Sequence, residues 1–257
     1  MRFTFLLILM SAIFLLSCEN QEEECYEEDL FFEEIEDELS VTEQEVIEKI
    51  DTSELEHYLI EMGLVNIQEI SPEIMVDLKY ASTDNFLGIN LYGQIQNAYL
   101  QPDVAERLGK VQDYLNENHP NLRLYVFDAV RPTFVQQKMW DALDSLPINE
   151  RVKYVSNPKN HSIHNYGAAV DLSLFDMETD TLLDMGAGFD DFHPRAYPKK
   201  EQEMLKSGVI TELHIENREL LRTAMREGGF WVLPTEWWHF NAVNRDTAKK
   251  RYEVVDF

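Results

Sequence analysis

Two histidines and a carboxylate carry the most specific chemistry in this sequence. In residues 162–171, S-I-H-N-Y-G-A-A-V-D, His164 precedes Asp171 by seven positions. In residues 236–240, E-W-W-H-F, His239 follows Glu236 by three. Two imidazoles and one carboxylate form the donor set of a catalytic zinc site, whose fourth position stays open for water. A further carboxylate beside the last ligand suits a proton acceptor for that water. The expectation is a Zn²⁺ site made by His164, Asp171 and His239, with Glu236 as general base, performing metal-assisted hydrolysis of the kind zinc peptidases carry out. Either half alone is weak. Seven histidines and 48 acidic residues pair by chance, and E-W-W-H-F by itself also describes an aromatic strand with a core histidine. Together each half supplies what the other lacks. Gly167, Ala168 and Ala169, between the first two ligands, let main chain come close.

These residues need elements to position them. Residues 76–80, V-D-L-K-Y, alternate apolar and polar as a half-buried strand does, ending at Tyr80. Residues 101–119 read as an amphipathic helix, with Pro102 near its start and Val104, Leu108, Val111 and Leu115 on one face. Residues 122–128 form a strand that delivers Arg131 just past its end, where Pro132 biases the arginine away from helix. A guanidinium there offers fixed, always charged donors to a carbonyl oxygen, or pairs with one of the many carboxylates. Residues 133–146 read as helix and 147–160 as a polar loop before the first ligand block. Strand continues after Asp171. A second amphipathic helix over 215–227 stops at Gly228-Gly229. Strands at 230–233 and 237–240 flank Pro234-Thr235. In a regular strand Glu236 and His239 would face opposite ways, so a bulge or turn at Glu236 is required to bring both to one metal. Trp237 and Trp238 divide between pocket wall and core, and the basic stretch 245–251 reads as surface.

The mixed strands and helices predict one α+β domain over 65–257, a small antiparallel sheet with helices packed against it. A length of 257 residues at 44% hydrophobic supports one such domain plus a tail. The net charge of −26 argues against a nucleic-acid binder, which needs basic patches. Cys18 and Cys25 are the only cysteines, so no disulfide framework holds the fold. Residues 1–17 carry one positive charge and a short apolar run, a secretory signal too short for a dedicated membrane span. L-L-S-C, ending at Cys18, resembles a bacterial lipobox, which implies cleavage before Cys18 and its lipidation. That places the chain in the cell envelope, membrane-anchored and facing the periplasm or exterior. Between positions 19 and 61 stand 19 acidic residues against one lysine, Lys49. Such a run repels itself, so residues 18–64 are expected to form a largely disordered acidic tether.

The S-x-H-x-x-G-x-A-x-D pattern with a later E-W-W-H closely resembles the zinc-dependent D-alanyl-D-alanine dipeptidases of the VanX type. The resemblance runs from about position 70 to 257. It includes V-D-L-K-Y-A-S-T-D-N-F (76–86), F-D-A-V-R-P (127–132), D-M-G-A-G-F-D (184–190) and G-F-W-V-L-P-T-E-W-W-H-F (229–240). It implies the same α+β fold, one Zn²⁺ and hydrolysis of D-Ala-D-Ala. It also implies that Arg131 polarises the scissile carbonyl, that Asp190 and Tyr80 hold the substrate's amino terminus, and that Ser162 contacts the substrate. His161, a competing ligand three residues before His164, falls out of register with the pattern. Asp191 is an alternative to Asp190, and Asp184 reads as structural. A carboxylate facing a free ammonium would reject longer chains whose nitrogen is an amide. Export departs from the cytoplasmic setting usual for glycopeptide resistance and suits degradation or recycling of wall-derived dipeptides. The alternatives are a D,D-carboxypeptidase trimming stem peptides and, outside enzymes, a lipoprotein binding module with an idle site.

Overall fold

The computed structural model describes residues 52–93 and 95–257. The signal segment, Cys18 and most of the expected acidic tether lie outside the described residues. Regular structure is present before the expected boundary at position 65. Helix α1 (Thr52–Glu61) is acidic in composition, yet Leu55 and Leu59, four residues apart, are buried, as is Leu64 just beyond it. One of its acids is a fixed acceptor: Glu56 takes hydrogen bonds from the Gln96 and Asn97 backbone N–H groups. The helical spacing of two leucines outweighs the charge around them.

A six-stranded sheet organises the rest. Its strands are β2 (Met75–Val76), β4 (Leu122–Asp128), β5 (Ala169–Asp176), β6 (Thr181–Leu182), β7 (Trp231–Leu233) and β8 (Glu236–Asn241), while β1 (Val65–Asn66) and β3 (Tyr99–Leu100) pair separately. The order is β2-β4-β5-β8-β7, with β6 paired to β5. All pairs are antiparallel except β2 with β4. Helix α2 (Pro102–Asn118) has Pro102 in its first turn and buries Val104, Leu108, Val111 and Leu115. It lies against β4 and against helix α4 (Glu212–Glu227), which follows the shorter α3 (Thr133–Asp141). Helix α5 (Arg245–Arg251) closes the chain. The fold is α+β, as the sequence implies.

Two local expectations shift. Pairing at 76–80 ends after Val76, and Tyr80 sits instead on a 3₁₀ turn, Lys79–Ala81. The following loop folds back and gives two backbone N–H groups, of Leu91 and Tyr92, to the Tyr80 carbonyl, so the strand cannot continue. The helix expected over 133–146 stops at Asp141. Helix α2 and strand β4 fall where the sequence reading places them.

Candidate active site

Register builds the centre of the site. On β5, Asp171 pairs with His239 on one side and with Asp128 on the other. Residues directly opposite in antiparallel strands share a face, so two of the expected ligands meet across one ladder. The third, His164, comes from a 3₁₀ turn, Ile163–Tyr166, just before β5. Ser162 caps that turn, accepting the His164 N–H on its hydroxyl at 3.4 Å. Gly167 ends it at φ 63, where a Cβ would meet Leu64 Cδ2 at 2.8 Å and the Gln101 backbone nitrogen at 3.3 Å. Only glycine fits that corner. The Arg131 N–H, donating to the His164 carbonyl at 3.1 Å, ties the turn to the end of β4.

The bulge required by the sequence is present. Val232 pairs with Phe240, but Leu233 pairs with Glu236, so β8 carries extra residues between these two pairings. Glu236 and His239 therefore approach the same point, with Glu236 Oε2 3.9 Å from His239 Nδ1. Trp238 lines the cavity, whereas Trp237 is buried and donates its indole N–H to the Ala187 carbonyl at 3.0 Å.

The donor set fits a divalent cation. His164 Nε2 lies 3.1 Å from His239 Nδ1, and Asp171 Oδ1 lies 2.9 Å from His239 Nδ1 and 3.3 Å from His164 Nε2. The outer ring nitrogens face acceptors: His164 Nδ1 donates to the Ala129 carbonyl at 2.6 Å, and His239 Nε2 to Asn241 Oδ1 at 3.0 Å. Outward donation by both rings turns two bare nitrogens and a carboxylate oxygen toward one another, an arrangement that demands positive charge between them. Burial alone would lower the His239 pKa, but the hydrogen bond and charge of Asp171 raise it to about 9. Burial likewise pushes the Asp171 carboxyl up, and His164 and His239 more than reverse it, holding it well below the usual carboxylate range. Such a nitrogen-and-oxygen set suits zinc. His161 is not among these donors.

Every site residue expected from the sequence, Cys18 apart, lines one cavity of about 330 Å³: His164, Asp171, His239, Glu236, Arg131, Asp190, Tyr80 and Ser162. Arg131 is buried and immobilised. Its Nε and Nη2 donate to Asp128, its Nη1 to Gln136 Oε1 at 3.1 Å, and its guanidinium lies 5.0 Å over the Tyr80 ring. Of a guanidinium's five N–H donors, two stay uncommitted, on Nη1 and Nη2, and Nη2 sits 3.7 Å from Asp171 Oδ2. Burial raises the Glu236 carboxyl above its ordinary range, with His239 opposing. Asp190, at φ 58, accepts the Tyr80 hydroxyl on Oδ1 at 3.0 Å and leaves Oδ2 buried without a partner. Burial pushes its carboxyl up to about 8 even against that hydrogen bond. Asp191 cannot exchange with it, being paired to His193 and Arg195. Asp184 fastens its loop to His214, Asn217 and the Gly186 N–H.

Sequence reasoning missed three supporting residues: Asp128, Gln136 and Asn241. Asn241 was findable, because it stands two residues after His239 and so on the same strand face. Asp128 stood within F-D-A-V-R-P, but only the fold reveals it as the counter-ion of Arg131.

Two outcomes follow from this geometry. Asn241→Ala removes the acceptor that orients His239, and metal affinity drops roughly 10- to 100-fold; chelator competition measures it, and an unchanged affinity removes Asn241 from the support of the site. The second concerns Asp190, whose folded pKa of about 8 exceeds its ordinary 3.8. Between those values the folded state keeps a proton that the unfolded chain has lost, so this group costs stability as pH rises. In chelator, Asp190→Asn is therefore more stable to urea than wild type at pH 8, and the gap closes towards pH 4. Parallel stability curves for the two proteins would contradict the burial of an unpaired oxygen.

Residues 60–256 match the model of the D-ala-D-ala dipeptidase peptidase family. A D-alanyl-D-alanine dipeptidase of Escherichia coli is 34% identical over 177 residues, covering 69% of this chain and 83% of that protein. One from Enterococcus faecium is 28% identical over 197 residues, covering 70% and 92%. Among solved structures, the vancomycin-resistance D,D-dipeptidase VanXYg overlaps loosely, with a TM-score of 0.30 at 19% identity over 73% of this chain and 69% of that one. By the extent of the family match and by the relative that is one-third identical, the chain belongs to the D-Ala-D-Ala dipeptidase family of peptidases.

Proposed function

We propose that the protein is a zinc-dependent D-alanyl-D-alanine dipeptidase. The observation that carries the reading is the unpartnered Asp190 Oδ2, buried in the wall of the cavity that also holds the His164, Asp171 and His239 donors. A buried carboxylate oxygen without a donor disfavours any substrate that fails to supply one. The free ammonium of a dipeptide supplies it. The amide nitrogen of a longer chain brings no charge and at most one hydrogen.

His164, Asp171 and His239 would hold the zinc, with Ala129 and Asn241 fixing the two rings. Zinc supplies the Lewis acidity that makes water nucleophilic near neutral pH. Glu236, its carboxyl already raised by burial, accepts the water's proton as the oxygen bonds to the carbonyl carbon. It returns that proton to the leaving nitrogen as the C–N bond breaks, giving two free D-alanines. The uncommitted N–H groups of Arg131 share the oxyanion charge that develops meanwhile, a contribution whose loss typically costs roughly 10²–10³ in rate. Tyr80 and Asp190 fix the amino end, and Ser162 contributes at the wall while capping the His164 turn.

We further infer that lipid on Cys18 anchors the enzyme to a membrane, outside the cytoplasm, where wall-derived dipeptides are its substrate. The support is the sequence of residues 1–18. Among the described residues no helix is long and apolar enough to cross a membrane.

The deciding experiment is alanine release from D-Ala-D-Ala, L-Ala-L-Ala and a pentapeptide ending in D-Ala-D-Ala, with and without chelator. Chelator-sensitive cleavage of the D,D-dipeptide alone is expected, and Glu236→Ala should keep its zinc while losing roughly 10²–10⁴ in rate. Cleavage of the pentapeptide would instead indicate a carboxypeptidase, and no cleavage at all a binding module. For the anchor, wild type should partition into detergent and Cys18→Ser into the aqueous phase; a wild type without lipid on Cys18 refutes it.

A further inference from the structure

We propose that Arg218 is a positioning residue for the substrate's amino end. It fastens both ends of the loop that carries Asp190, and so sets where the unpartnered Asp190 oxygen stands. The proposal rests on Asp190 receiving the ammonium of a dipeptide and deepens that reading.

Arg218 is fully buried on helix α4 and does not line the cavity. Its Nε donates to the Met185 carbonyl at 2.7 Å, and its Nη2 to the Arg195 carbonyl at 2.8 Å. Those two nitrogens form the guanidinium edge that commonly grips both oxygens of one carboxylate. Here they grip two peptide carbonyls, one on each side of Asp190. Nη1 faces Glu201 at 3.4 Å, a carboxylate that Arg222 holds more closely, at 2.8 and 3.1 Å. A charge so deep gains little net stability from an ion pair alone. What the planar fork adds is a fixed spacing between the two ends of the loop.

The same helix face supplies the rest of the mooring. His214, Asn217 and Arg218 stand at i, i+3 and i+4, so they project together. His214 pairs with the Asp184 side chain, and Asn217 donates to the Asp184 carbonyl. A Cβ on Gly186 would clash with the His214 ring, so the loop lies directly on the helix. Further along the loop Asp190 sits at φ 58, a conformation that residues other than glycine hold where their surroundings impose it. On the cavity side, Trp237 donates to the Ala187 carbonyl and Tyr80 to Asp190 itself. Held by α4 at its ends and by the cavity wall between them, the loop has one aim for Asp190. The metal donors stand on β5, β8 and the turn before β5, none of which receives a hydrogen bond from Arg218.

The test measures zinc content, kcat and KM of the zinc-loaded full chain on D-Ala-D-Ala. The proteins are wild type, Arg218→Lys, Arg218→Met, Asp190→Asn and the double variant Arg218→Lys/Asp190→Asn. Arg107→Lys is the control, because Arg107 makes the same kind of tie to the Gly228, Gly229 and Ala242 carbonyls, none of them on the Asp190 loop. A misplaced Asp190 weakens binding and shows in KM, whereas loss of folded protein lowers only the apparent kcat. Arg218→Lys keeps the charge beside Glu201 but not the fork, and is expected to raise KM roughly tenfold with zinc content unchanged. Arg218→Met should raise KM further; if it does not fold, the lysine variant decides. Arg107→Lys should keep the wild-type KM. Because Arg218 acts through Asp190, its substitution should add little once Asp190→Asn is in place. A KM unmoved by Arg218→Lys, an equal rise in Arg107→Lys, or additive losses in the double variant overturn the proposal. An Asp190→Asn protein with wild-type KM overturns the amine reading itself, and the role of Arg218 with it.

Discussion

Negative charge buried on one face of a sheet is the constraint that the rest of the structure answers. Cross-strand register sets Asp128 and Asp171 side by side, both buried. Taking carboxylates out of water costs several kcal/mol each unless cations and donors meet them. The answer is layered. Tyr92 donates its hydroxyl to Asp128, Arg131 spans Asp128 and approaches Asp171, and His164 and His239 face Asp171 from the other side. Arg131 is thus structural and chemical at once. The same fork that neutralises Asp128 has N–H groups left for a substrate oxygen, and its aim is fixed by the carboxylate it neutralises.

The two halves of the cavity are held by different means. The donor half stands on paired strands, on the bulge that turns Glu236 and His239 the same way, and on a glycine corner packed against Leu64 and Gln101. Sheet pairing and packing keep such groups near their working geometry. The substrate half stands on loops: a 3₁₀ turn for Tyr80 and a left-handed residue for Asp190. Loop positions vary more readily than strand positions, so metal chemistry is fixed in the scaffold while selectivity sits where change is tolerated.

How much could be read beforehand follows from the same division. Residue type and spacing nominated His164, Asp171 and His239, whose donor atoms the fold brings together, while the choice of His164 over His161 came from the resemblance. The conflict between Glu236 and His239 was itself informative, since a strand that must break its alternation needs a bulge. Local periodicity gave α2, whose buried face of Val104, Leu108, Val111 and Leu115 is decided within one element. It failed for V-D-L-K-Y, where the alternating Val76, Leu78 and Tyr80 mimic a strand but the last two are buried through a turn. It failed at the N-terminus too, where averaged charge hid the spacing of Leu55 and Leu59. Gln136 left no signal at all. A glutamine in a helix becomes a guanidinium partner only once β4 and α3 are brought together.

Net charge and local charge also separate in this protein. The chain carries −26, yet much of that lies between positions 19 and 61, upstream of nearly all the residues that build the cavity. A zwitterionic dipeptide has no net charge, so the long-range field neither draws it in nor repels it, and salt screens what remains over about 8–10 Å. What the cavity presents at short range is one buried acid oxygen without a donor, on the Asp190 carboxyl whose other oxygen is held by Tyr80. That oxygen is an unfavourable element of the empty protein, and a molecule whose ammonium reaches it relieves it. Discrimination then lies in the empty state: a ligand lacking that donor leaves the oxygen as poorly matched as before, and selectivity follows from what the wrong substrate fails to satisfy.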